Sequence, residues 1–218
     1  MSRRSQILPP LFSLWIVGSL AFAGSQGRDG DSNKLQQSVF VYNYAQVPAN
    51  SLERAKREAA RIFRQAGVEI VWRDCPLGTA EGSQNSACEQ FIGPATLLLR
   101  IVPRFEYAPG ITNKQTLGSS VGNLATVSFH WVKDEAASGI ATPSEILGPA
   151  IAHELGHLLL GRRRHSPIGI MRPRWSRQDF QRSPLGAFIF TSEEANLICA
   201  GVRSRAQAQA DKVELSSK

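Results

Sequence analysis

The strongest chemical signal in the chain is a run of five residues, His153-Glu154-Leu155-Gly156-His157. On an α-helix, positions four apart share a face, so His153 and His157 can aim two imidazoles at one point. Glu154 stands beside the first of them. Two histidines and a glutamate at this spacing form the H-E-x-x-H pattern, in which the imidazoles bind zinc and the carboxylate acts as general base toward water. The plain alternative is a helix with two surface histidines. The surrounding sequence favours metal chemistry, because three of the chain's four histidines fall between His153 and His165. A catalytic zinc needs three protein ligands and one open position. His165, four residues beyond Gly161, is the nearest third donor, within reach if the chain doubles back.

These residues need a helix to carry them. Thr142-Pro143-Ser144-Glu145 is a capping box with proline at the first helical position, so the helix is predicted to start near Thr142. Pro149 lacks an N–H and crowds the preceding turn, which predicts a kink or a fresh start there. Leu155, Leu158 and Leu159 should pack the helix into the protein, and Gly161 allows the left-handed residue that ends it.

The helix in turn needs a scaffold. Val39 to Tyr42 is rich in β-branched and aromatic residues and reads as a strand. Asn50-Ser51-Leu52-Glu53 looks like a capping box, and Ala59, Ile62, Phe63 and Ala66 give the helix after it one apolar face ending at Gly67. Val68 to Trp72, Ala95 to Val102 and Val121 to Val132 read as further strands. Thr191 to Glu194 caps a final helix with a stripe of Ala195, Ile198, Cys199 and Val202. The expected fold class is α+β: a mixed, twisted sheet packed with helices, the H-E-x-x-H helix among them.

With these residues in view, the sequence resembles the metzincin clan of zinc metallopeptidases. Their signature is H-E-x-x-H-x-x-G-x-x-H followed by a methionine turn. Here one extra residue separates His157 from Gly161 and another separates Gly161 from His165. His165-Ser166 and Met171-Arg172-Pro173 look like the matrix-metalloproteinase version of the third ligand and the turn. The resemblance spans His153 to Pro173, about a tenth of the chain. It implies a zincin-like fold with His153, His157 and His165 as ligands of Zn2+. It also implies that Glu154 takes a proton from water held at the zinc, that Met171 is an apolar floor, and that Val121 to Val132 is the edge strand along the cleft, where a peptide could add as an extra strand, although an ordinary sheet strand fits equally. A second resemblance, to the gluzincin peptidases, would instead give the third ligand to a glutamate on a later helix, Glu193 or Glu194. Capping and the helix dipole explain those glutamates without a metal.

The rest of the chain bounds this reading. Of the 218 residues, Met1 to Ala23 reads as a secretory signal peptide, with Arg3 and Arg4 before an apolar core and Ala21-Phe22-Ala23 as the cleavage site. Residues 24–37 read as a flexible leader, 38–204 as one metallopeptidase domain and 205–218 as a disordered tail. The location expected is secreted or periplasmic, with no membrane anchor after cleavage. A formal charge of +7 with no nucleic-acid motif does not imply a nucleic-acid partner, and the metzincin resemblance implies a peptide or protein substrate instead. Of three cysteines in an exported chain, Cys75 and Cys88 flank a short polar loop and are expected to pair, leaving Cys199 as a buried thiol. His130 reads as structural. Arg162, Arg163, Arg164, Arg172, Arg174, Arg177 and Arg182 follow the motif, either as a solvated surface or as a preference for acidic substrate. The sequence therefore reads as an exported zinc metallopeptidase. The alternatives are a non-catalytic, zinc-stabilised binding module of the same fold and a basic protein that binds anionic polymers.

Overall fold

The computed structural model describes residues 35–77, 88, 93–105, 117–161, 165–182 and 188–217. The proposed signal peptide, leader residues 24–34, most of the loop between Cys75 and Cys88, and Arg162 to Arg164 lie outside them.

The chain opens with strand β1 (Leu35–Asn43), helix α1 (Ala49–Gln65) and strand β2 (Val68–Cys75). Strand β3 (Thr96–Val102) follows, then a hairpin of β4 (Gly118–Val121) and β5 (Leu124–Ser128). The second half is helical: α2 (Phe129–Ala137), α3 (Pro143–Leu160), the short α4 (Arg177–Gln181) and α5 (Ser192–Ser216). The five strands form one sheet in the order β2-β1-β3-β5-β4. All neighbours are parallel except β4, which runs antiparallel to β5 at the edge. The architecture is α+β with a mixed sheet, as expected.

Alternation along the strands sets the two faces of the sheet. Val39, Val41, Leu97, Leu99, Ile101, Ala125 and Val127 turn to the helices and are buried. Phe40 and Leu98 turn the other way, beside the Cys75–Cys88 disulfide. On α1, the predicted stripe of Ala59, Ile62, Phe63 and Ala66 is buried against the same core. Helix α3 is apolar on all sides, with 14 of its 18 residues buried, as befits a helix at the centre of a domain. Its fully buried Ile146, Leu147, Ile151 and Leu155 each contribute about 1.5–3 kcal/mol. This is the helix that carries the H-E-x-x-H residues, so the site is built on one of the most enclosed elements of the fold.

The structure corrects several expectations. The stretch Val121–Val132 is not one strand. Gly122, at φ +62°, turns the chain between β4 and β5, and Ser128 caps α2 by accepting from the Trp131 N–H. The edge strand is therefore β4. Helix α3 runs unbroken from Pro143 to Leu160, so the helix does not start afresh at Pro149. Helix α1 starts at Ala49 without a side-chain cap, while Asn43 secures the preceding loop through both the N–H and the carbonyl of Val47. Strand β1 begins at Leu35, inside the segment read as a leader, and its Gln37 is buried with Nε2 donating to the Ala95 carbonyl at 2.6 Å. The segment read as a disordered tail continues α5 to Ser216. It is rich in Ala, Gln and Lys, all strong helix formers, and Arg205 anchors it through the carbonyls of Pro94 and Leu158.

Cys75 and Cys88 form the expected disulfide, while Cys199 is a free, half-buried thiol donating to the Ala66 carbonyl. Reduction should lower the unfolding free energy by about 3 kcal/mol, given a sequence separation of 13. Urea unfolding with and without reductant measures this, and coincident curves would show that the bridge adds no stability.

Candidate metal centre

His153 and His157 sit one turn apart on α3, and their Nε2 atoms are 3.0 Å from each other. The helix ends at Gly161 in the left-handed conformation, φ +80°, which only a residue without Cβ adopts freely. The chain then returns His165 to the same place, its ring 5.4 Å from that of His153 and 5.0 Å from that of His157. Among the described residues this is the one group able to hold a metal ion, with one donor nitrogen from each ring all within 4.8 Å of one another.

Several contacts fix the donors. The His153 Nδ1–H donates to the Ile170 carbonyl at 2.8 Å, which leaves Nε2 with its lone pair directed at the other rings. The same carbonyl accepts from the Trp175 indole at 3.2 Å, and the Trp175 ring stands edge-on to His153. Trp175 is held in turn by Phe180 and Phe188. The loop bearing His165 is tied by the Ser166 N–H to the Met171 carbonyl, and by the Ser166 hydroxyl to Glu194 at 2.7 Å. Met171 is fully buried, and a Cβ on Gly156 would sit 2.9 Å from its sulfur, so α3 rests directly on this methionine.

Burial pushes the His153 imidazole down to about 4, and the neighbouring His165 acts in the same direction. The bond to Ile170 and the charge of Glu194 oppose this without cancelling it. His153 is therefore neutral at ordinary pH, the form that binds a metal. The folded chain takes up a proton here less readily than the unfolded chain, so protonation favours unfolding. The metal-free protein should keep this contribution above about pH 6.5 and lose it as the pH falls toward 4, a loss on the order of 3 kcal/mol. Urea unfolding of metal-free wild type and His153→Gln at pH 7 and pH 4 measures it. Equal pH dependence in the two proteins would show that His153 titrates as it does in the unfolded chain.

Glu154 is also buried, but on the side of α3 that meets the sheet edge. The Ser120 hydroxyl of β4 contacts both the Glu154 carboxylate and, at 3.1 Å, its main-chain carbonyl. A Cβ on Gly118 would lie 2.5 Å from the Glu154 Cδ and Oε1, so the carboxylate occupies space that a side chain would fill. Glu154 does not belong to the donor group, which suits a base rather than a ligand.

Neither glutamate considered as a rival third donor joins the cluster. Glu193 is exposed, and Glu194 is buried with its carboxylate engaged by Ser166 and by the Thr191 N–H of the helix cap. His130 lies on α2, not on a strand, and packs among Arg104, Asp134 and Trp131. Arg172 pairs with Asp179, and Arg177 donates to the carbonyls of Ser138 and Gly139, so these two arginines serve the fold. Sequence reasoning missed Gly118, Ser120, Trp175 and the Ile170 carbonyl.

The fold has solved counterparts. It resembles a zinc-dependent peptidase from Methanocorpusculum labreanum, with a TM-score of 0.50 and 16% identity over 73% of this chain and 99% of that one. It also resembles archaemetzincin from Methanopyrus kandleri, with a TM-score of 0.50 and 17% identity over 77% of this chain and 96% of that one. At these identities the likeness is one of fold. No family model matches the sequence, and no curated protein matches it either.

Proposed function

We propose that the chain is an exported, metzincin-like zinc metallopeptidase that hydrolyses peptide bonds in peptide or protein substrates. The observation that carries this reading is the convergence of His153, His157 and His165 beside a buried Glu154 that is not part of the donor group. Three imidazoles, at least one held neutral with its free nitrogen facing the others, suit zinc by donor chemistry. One of the two proteins of similar fold, that from Methanocorpusculum labreanum, is named a zinc-dependent peptidase, which supports the same choice.

When bound, zinc would supply a Lewis acid that acidifies water and polarises a carbonyl. The protein's own residues do the remainder. Ile170 and Trp175 hold His153 in the tautomer that presents Nε2. Met171 forms an apolar floor beneath α3, in the place of a methionine turn. Glu154 accepts a proton from the attacking water and later returns it to the leaving amine. Among the described residues β4 pairs on one side only, with β5, so its outer edge offers backbone groups with which an extended peptide could pair as a further strand, and its outward Ser119 and Val121 are exposed.

Export rests on the N-terminal segment, which reads as a signal peptide, and the Cys75–Cys88 bridge supports it because such bonds persist in oxidising compartments. No described helix is long and apolar enough to cross a membrane.

Chelation tests the proposal. Hydrolysis should disappear when the metal is removed and return with one equivalent of zinc. Activity that survives complete chelation would sink it.

A further inference from the structure

The H-E-x-x-H pattern names a base but not what aims it. Resting on the peptidase reading above, we propose that Gly118 and Ser120 of the edge strand form a notch that positions Glu154. The two residues are alternate positions on β4 and so share the face turned toward α3. Gly118 supplies the empty volume: any Cβ there would meet Cγ, Cδ and Oε1 of Glu154. Ser120 supplies the tether, its hydroxyl reaching the Oε2 of Glu154 and standing 3.1 Å from the main-chain oxygen of the same residue. The single hydroxyl proton of Ser120 thus lies between two acceptors of the same glutamate, its carboxylate and its main-chain oxygen.

Each part suits the task. A buried carboxylate is costly to leave without hydrogen bonds, and the Ser120 hydroxyl provides one. Among the described residues the strand that holds the base has no partner strand on its outer edge, where a peptide could add. Substrate and base would therefore be referenced to the same backbone, and a small displacement of the base relative to the scissile bond is costly in rate. Ser120 touches no reacting atom and is a positioning residue.

Steady-state kinetics, zinc content and crystal structures of Ser120 variants test the proposal. Ser120→Ala should keep one zinc per chain and a KM within about twofold, while kcat falls about tenfold or more, the range for a lost hydrogen bond to a charged group. Ser120→Thr keeps the hydroxyl on a residue that strands favour and should return kcat to within about threefold of wild type. In a Glu154→Gln background, Ser120→Ala should cost nothing further, because the group it aims is gone. The crystal structure of Ser120→Ala should show the Glu154 carboxylate withdrawn from β4. Gly118→Ala, which keeps the hydroxyl but fills the notch, should also lower kcat with zinc retained. An unchanged kcat in Ser120→Ala, an equal loss in the Glu154→Gln background, or the same Glu154 rotamer with and without the hydroxyl would overturn the proposal and leave the peptidase reading intact. A zinc-loaded wild type that hydrolyses no peptide would overturn the peptidase reading, and this one with it.

Discussion

Replacing His153 or His157 by alanine should abolish stoichiometric zinc binding, and replacing His165 should weaken it by several orders of magnitude. Both helical histidines present Nε2 from α3, and His153 is fixed by its bond to Ile170, so each contributes a preformed donor. His165 comes from a loop tied down by Ser166 and is exposed, so water can partly replace it. Glu193→Ala should leave zinc affinity unchanged. Glu194→Ala removes a helix cap as well as the tether to Ser166, so it should lower stability by about 1–2 kcal/mol. Titrating the metal-free proteins with zinc against a competing chelator separates these cases. Retained affinity in His165→Ala, together with loss in a Glu193 or Glu194 variant, would move the third ligand to α5.

Glu154→Gln should fold, hold zinc at wild-type stoichiometry and lose peptide hydrolysis by at least about a hundredfold, the low end for general acid–base catalysis. The amide keeps the shape of the side chain and can still meet Ser120, but it cannot accept a proton from water. Loss of activity without loss of metal is the signature that separates a base from a ligand. The readout is the initial rate on a single fluorogenic peptide, with metal content determined on the same preparation. A variant that cleaves as fast as wild type would remove Glu154 from the mechanism.

Much of this site was readable along the chain because its determinants are local. The i, i+4 relation of His153 and His157, the capping box at Thr142 and the left-handed Gly161 are each set within a few residues. That His165 lies near the two helical histidines was legible because it follows that turn closely. What surrounds these residues was not. Ser120 reaches Glu154 across 34 residues, with Gly118 beside it, through the pairing of β4 with β5, which no local pattern encodes. The partner of His153 is a backbone carbonyl, and every residue has one.

The fold errors have similar causes. The β4–β5 hairpin and α2 were read as one strand because their apolar residues run on. The breaks at Gly122 and Ser128 were visible only as single residues. The last turns of α5 lack an apolar stripe, and only their helix-forming composition marked them. Gln37 looked like part of a polar leader because its partner, the Ala95 carbonyl, lies 58 residues away.

If zinc held by His153, His157 and His165 beside Glu154 makes this chain a peptidase, wild-type protein carrying one zinc per chain should cleave an unstructured peptide library, with the products identified by mass spectrometry. Internal cleavages should accumulate with time and be absent when the metal has been removed. A fully zinc-loaded protein that leaves every peptide intact would contradict the peptidase reading and favour a zinc-stabilised binding module.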